Sequence, residues 1–195
     1  MSPARQAERS ASTRAKLVKA ARALFARKGY ANVATEEIVR RAGVTRGALY
    51  HQFPSKEDLF LAVYEQVEQE LAAGAAALLA GASSPLEAMR GGIRFFLDAC
   101  QAPDVQRIVL IDGPSVLGWV RWREVAEQHG LGMLQAVLAA AVEAGEIAPV
   151  AVEPLAHLLM SALDEAALMV VRNPDSSEEV TATLEHLLEG LRSRS

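Results

Sequence analysis

The sequence predicts an all-α chain: three short helices at the front, a longer helical domain behind them, and about nine helices in all. Three observations carry this. Of the 195 residues, 51% are hydrophobic but only 5% aromatic, so the apolar share rests on Ala, Leu and Val, a mix that favours helix over pleated sheet. Apolar residues recur at spacings of three and four along most of the chain. Only the run at 105–111 reads as a strand, and no second such run exists to pair with it.

Residues 1–12 mix Ser, Ala, Arg and one Pro without a period and read as a flexible arm. A first helix is expected from Thr13, with Leu17, Ala21, Leu24 and Phe25 on one stripe, Lys16, Lys19, Arg22 and Arg27 opposite, and Gly29 as its stop. That basic face is either a solvated surface or part of an anion-binding one. Thr35 is placed to cap a second helix, with Ile38, Val39 and Ala42 inward and Gly43 at its end; Thr45 then caps a third. Two short helices so close together form a helix-turn-helix, its angle set by Ile38, Val44, Leu49 and Phe53. Arg46, Gly47, Ala48, Tyr50, His51 and Gln52 are left outward. Gly47 and Ala48 keep that face low, while Arg46, Tyr50, His51 and Gln52 offer hydrogen-bonding groups to base edges or phosphates. Ser55-Lys56-Glu57-Asp58 opens a fourth helix as a capping box, and Lys56 in its first turn opposes the helix dipole unless an anion such as a DNA phosphate lies near.

The fourth helix should run to about residue 80, where Gly81 and Ser83-Ser84-Pro85 break it; a fifth ends at Pro103. The run at 105–111 is then read as helix. The turn after it, Asp112-Gly113-Pro114-Ser115, lacks the second glycine of a hydrolase elbow because position 117 is Leu, so a small hydrolase built on Asp112, Ser115 and His157 has no motif joining them. Trp119 opens another helix and shares a face with Trp122, as core or as a ligand contact. A break is expected near Gly130, then a helix ending at Gly145. Residues 153–172 are apolar nearly all round, which calls for partners on two sides, and Ser176-x-x-Glu179 caps a last helix with Val180, Leu184, Leu187 and Leu191 at spacings of four and three. Asp164 and Glu165 interrupt the apolar helix, with His157 two turns earlier on Asp164's face. A buried carboxylate must be paired. Either Arg94 or Arg107 bridges to it, or His157, Asp164, Arg107 and Trp122, with Trp119 nearby, line a ligand cavity.

Charge divides the chain more sharply than length does. Residues 1–60 hold 12 Lys and Arg against 5 Asp and Glu, a net of +7; the remainder holds 8 against 19, a net of −11, within the overall −4. A polyanion feels the basic face beside it and not a distant acidic one, since salt screens beyond ~10 Å. The single cysteine, Cys100, excludes an internal disulfide, and no Cys/His spacing suggests a metal site. The first apolar stretch is broken by Lys16, Lys19 and Arg22, so no secretory signal is read, and no uncharged run reaches the ~18 residues of a spanning helix. A cytoplasmic protein, with no membrane partner and no cofactor, is expected.

Residues 34–60, A-T-E-E-I-V-R-R-A-G-V-T-R-G-A-L-Y-H-Q-F-P-S-K-E-D-L-F, closely resemble the DNA-binding signature of tetracycline-repressor-type transcriptional regulators. The preceding helix up to Gly29-Tyr30 matches too. The resemblance implies that Thr35 and Lys56 touch phosphates and that Thr45, Arg46, Gly47, Tyr50 and His51 face DNA. It departs at Gln52, where many relatives carry His, and at Pro54, where Lys is common; the first change retunes a contact. It further implies a DNA-binding domain at 13–55 and a ligand-binding and dimerisation domain at 56–195. The last two helices would pair with their copies in a homodimer, and a small-molecule effector would release a palindromic operator in double-stranded DNA. This describes a repressor and not an enzyme; the rival reading is a ligand-independent or activating regulator. One short recognition helix offers too few base contacts against a genome of competing sites, so doubling is a physical need.

Overall fold

A computed structural model describes residues 3–193. Among them the chain is helical, with no strand; one antiparallel bridge joins Ile147 and Arg192. The helices are α1 (Pro3–Lys28), α2 (Thr35–Ala42), α3 (Arg46–Gln52), α4 (Lys56–Leu79), α5 (Pro85–Ala99), α6 (Pro103–Val105), α7 (Gly113–Ala126), α8 (Gly132–Glu143), α9 (Val152–Arg172) and α10 (Ser177–Glu189). The stretch at 105–111 is indeed helical, and most of it is wound as a π-helix over Gln106–Asp112. The break expected near Gly130 is instead a second π-helical stretch, Glu127–Leu131, through which the helix continues. The real interruption is at Gly118, whose φ of 74° splits α7 just before Trp119.

Helix α1 begins at Pro3, ten residues before the expected Thr13, so the irregular arm is corrected to helix over the described part of residues 1–12. The stretch is rich in Ala, Arg, Gln and Glu, all good helix formers, and Pro3 suits the first position. Residues 5–12 are exposed except for the half-buried Ser10, so they carry no amphipathic stripe to read. Thr13 sits inside the helix, its hydroxyl donating to the Arg9 carbonyl at 2.9 Å.

The chain forms two compact units. One gathers the chain up to Val67 with Pro103–Trp122. Its core joins Leu17, Leu24 and Phe25 of α1 to Ile38, Leu49, Leu59, Phe60, Tyr64 and Ile108, each 1% exposed or less. Phe25, Tyr30 and Phe60 stack pairwise with ring centroids 5.2–5.6 Å apart, edge-on or tilted as aromatic quadrupoles prefer. Trp122, read as core or as ligand contact, is buried: its indole N–H donates to the Val109 carbonyl at 3.0 Å, and its own carbonyl accepts from the Tyr64 hydroxyl at 3.1 Å.

The second unit takes Glu68–Ala102 and the chain from Arg123 onward. Leu97, Leu138, Ala156, Ala167 and Leu188 fill its centre, and Arg94 bonds Glu185 across α5 and α10, as Arg90 does Glu189. Of the four residues read as a subunit seam, Val180 and Leu184 are each 6% exposed and lie with the buried Leu188 on one row of α10. The i, i+4, i+8 row wins over the 4-3 spacing because it faces the neighbouring helices of the same chain. Leu187 is 55% exposed. Helix α9 is long and apolar enough, by length and composition, to cross a membrane, and only 22% of its most apolar stretch is buried. Ser176 occupies the cap position of α10 as expected, but its hydroxyl donates to the Asn173 carbonyl and makes no side-chain cap.

Candidate nucleic-acid interface

The helix-turn-helix is built by short-range rules. Helix α2 carries Glu36 and Glu37 in its first turn and Arg40 and Arg41 in its last, matching the helix dipole at both ends. Gly43 then takes φ 66° and ψ 35°, the left-handed cap that a side chain would strain, and the Gly43 and Val44 N–H groups close on the carbonyls of Arg40 and Val39. Thr45 caps α3 as expected, its hydroxyl accepting the Ala48 N–H at 3.1 Å. Thr35, expected as the cap of α2, is instead its first residue; Ala34 occupies the cap position, and the Thr35 hydroxyl donates to the Glu36 carboxylate at 3.3 Å. Lys28 anchors α2 to the end of α1 through the Glu37 carboxylate at 2.7 Å. Ile38, Leu49 and Phe53 face inward.

This leaves an open face on α3. Thr45, Arg46, Gly47, Tyr50 and His51 are exposed, and an added Cβ at Gly47 would meet nothing within 4 Å. Arg46 pairs with Glu36 at 3.0 Å, and its guanidinium lies 5.5 Å over the Tyr50 ring. Gln52 departs from the outward set: half-buried, it donates to the Ser10 hydroxyl of α1 at 2.8 Å. Arg14 of the same helix lies 5.1 Å over the Phe53 ring.

Lys56 is engaged in a way the sequence does not reveal. Its ammonium donates to the Tyr30 carbonyl at 2.6 Å and sits 4.0 Å over the Tyr30 ring. Burial lowers its pKa, against the opposing pull of Asp112. Asp112 also accepts the Tyr30 N–H at 2.7 Å, so this one residue is held through both its carbonyl and its amide. Arg107, read as a ligand contact, lies 3.8 Å from Asp112, its guanidinium where a side chain on Gly29 would be. Asp104 adds a bond from the Arg22 guanidinium at 2.8 Å. Residues 103–112 thus supply the first unit with two carboxylates, Asp104 and Asp112, whose ties to Arg22 and Tyr30 sequence reasoning missed; only their place at either end of the run 105–111 could have flagged them.

In the second unit Asp164 finds neither Arg94 nor Arg107, the two partners expected for it. Arg94 is taken by Glu185, and the Asp164 carboxylate accepts from Arg123 at 2.9 Å. Arg123 also bonds Glu127 at 2.9 Å and the His157 carbonyl at 3.3 Å, and the His157 ring lies 3.2 Å from Glu127. Burial pushes the Asp164 carboxyl up to about 6 despite the Arg123 guanidinium. Glu165 is exposed, 3.8 Å from Arg172. Trp119, 66% exposed, lies against Trp122 with centroids 4.9 Å apart.

Two family models match the chain: bacterial regulatory proteins of the tetR family over residues 17–63, and a tetracyclin repressor-like C-terminal domain over residues 86–191. The HTH-type transcriptional regulator CymR of Pseudomonas putida is 36% identical over 146 residues, which is 69% of this chain and 72% of that protein. A crystal structure of a TetR-family transcriptional regulator from Pectobacterium atrosepticum superposes with a TM-score of 0.87 at 31% identity, covering 100% of this chain and 99% of the other. The fold is shared as well by RolR in complex with resorcinol, at TM-score 0.76, 21% identity and 97% coverage of both chains.

Proposed function

Because this chain belongs to the tetR family, whose members are DNA-binding transcriptional regulators and not enzymes, we propose that it is a cytoplasmic repressor that grips a near-palindromic operator as a homodimer and releases it on binding a small molecule. The observation that carries the reading is the α3 face. Thr45, Arg46, Gly47, Tyr50 and His51 stand in solvent on a short capped helix whose opposite side is pinned by Leu49 and Phe53, the arrangement needed to enter a major groove. Thr35 and Lys56 flank it at the starts of α2 and α4 as phosphate contacts; with its carbonyl bond made, the Lys56 ammonium keeps donors for a phosphate oxygen. Gln52 reaches DNA only by leaving Ser10.

The dimer is supported by the uncovered apolar surface of α9 and α10. Leu158, Met169 and Leu187 are 47–69% exposed, and a second copy of α9 and α10 would cover them. Within the helical unit, the cluster of Arg123, Glu127, His157 and Asp164 is where the effector's polar group is placed, with Glu127 and His157 forming its more accessible side. RolR, of the same fold, holds resorcinol, which suits this reading. The test is enrichment of duplexes from a random 20-bp library, followed by native mass spectrometry of protein from its host's extract. Two-fold-related half-sites and a dimer carrying a small molecule are expected; no enriched sequence would refute the proposal.

A further inference from the structure

Glu36 stands out on the proposed DNA face because it is acidic. A carboxylate among groups that approach phosphates weakens every DNA complex, and the helix-dipole role it shares with Glu37 does not require it to face α3. Its partner supplies a reason. Arg46 is the first residue of α3 and two-thirds exposed, and a side chain with so many rotamers would ordinarily sample widely. Here it is held from two sides: Glu36 reaches from α2 to one guanidinium nitrogen at 3.0 Å, and the guanidinium carbon lies over the ring of Tyr50, one turn along α3, 5.5 Å from its centroid. Glu36 is itself steadied by the Thr35 hydroxyl. The pair is not required for the angle between α2 and α3, which Ile38, Leu49 and Phe53 fix from the buried side.

We infer that Glu36 is a specificity-determining positioning residue: it holds the Arg46 guanidinium toward the base edges, where its remaining donors can engage guanine, and penalises phosphates that come close without offering that base. The inference rests on the DNA-binding reading above and adds to it the residue that sets discrimination. Backbone hydrogen bonding and Arg46 both hold the Glu36 carboxyl below its ordinary range, so the charge persists at working pH. An Arg read in this way selects O6 and N7 of guanine, so each half-site should carry one strongly preferred guanine under Arg46.

The experiment compares native protein, Glu36→Gln, Arg46→Ala and the double variant on two probes: the 20-bp duplex enriched by native protein and a scrambled duplex of the same composition. Glu36→Gln should bind the scrambled duplex about twofold tighter, while the ratio of selected to scrambled affinity falls about fivefold. Repeating the enrichment with this variant should erase the guanine preference at one position of each half-site. On the Arg46→Ala background, Glu36→Gln should leave the ratio unchanged; with Arg46 intact, Glu36→Asp should retain part of the ratio that Glu36→Gln loses. Equal tightening on both probes would overturn the inference, because the carboxylate would then act through charge alone. A ratio loss that persists without Arg46 would also overturn it, since Glu36 would then act independently. Failure of native protein to enrich any duplex would remove the DNA-binding reading and this inference with it, an outcome distinct from both.

Discussion

Replacing Asp112 by alanine should destabilise the head of this protein by an amount that can be worked from its contacts. The carboxylate is 14% exposed and accepts the Tyr30 N–H at 2.7 Å, a short bond to a charged acceptor. Such bonds contribute about 1.5–3 kcal/mol, and the amide left behind has no other acceptor in place. Arg107 and Lys56 also lose their nearby anion, a smaller effect because Arg107 is partly in solvent. A loss of about 2 kcal/mol follows, and in a chain of this length each kcal/mol moves Tm by roughly 2–4 °C, so a drop of about 4–8 °C is expected. Asp112→Asn keeps an oxygen in the same place and should lose about half as much. Ser115→Ala is the control, since that exposed hydroxyl bonds only to carbonyls of its own turn. Differential scanning calorimetry at fixed protein concentration reads all three. An Asp112→Ala protein melting within about 1 °C of native would refute the view that this carboxylate ties residues 103–112 to the Gly29-Tyr30 corner.

Lys56→Ala should weaken selected and random duplexes by similar factors and flatten the log–log salt slope by about one, and it should lower Tm as the Tyr30 bond is lost; an unchanged slope would leave Lys56 a strut only. Asp164 gives a pH prediction. Its folded pKa of about 6 lies above the unfolded ~3.9, so the folded state binds the extra proton, and the group's contribution is present below pH ~3.9 and lost as pH rises through 6. Denaturant midpoints of Asp164→Asn should therefore gain on native by up to about 2–3 kcal/mol between pH 4 and 7; parallel profiles would show that the Arg123 bond cancels the burial. Leu187→Asp should yield monomers by sedimentation, whereas Val180→Ala should lower stability and leave the mass unchanged; a Leu187→Asp dimer would move the seam elsewhere.

What the sequence revealed was governed by distance along the chain. Thr45, Gly43, Ser55 and Asn173-Pro174 act on residues within four positions, and each cap or stop that depends on such local chemistry could be read directly, with Thr35 and Ser176 the exceptions because the helix started one residue away or the hydroxyl chose a carbonyl. The ties from Asp104 to Arg22 and from Asp112 to Tyr30 each span 82 residues, and nothing local announces them. Gln52 looked outward on a helical wheel because its partner, Ser10, lay in a segment read as an arm. Arg123 escaped notice as the partner of Asp164 because it sat in an ordinary charged turn, whereas Arg94 and Arg107 interrupted apolar runs. Along α10 the rows ending at Leu187 and Leu188 share Val180 and Leu184, so spacing alone could not say which row turned inward.

Cys100 has a consequence of another kind. It is 1% exposed, and burial, with Glu68 and Asp164 adding repulsion, pushes its thiol up to about 12. Buried and held as the neutral thiol at neutral pH, the sulfur is shielded from disulfide reagents in the folded protein. Every modification event must then follow an opening of the helical unit around the end of α5. The chain therefore contains its own clock: the rate at which an aromatic disulfide labels this one sulfur reports how often the core is breached, and a molecule that seals the core would slow it.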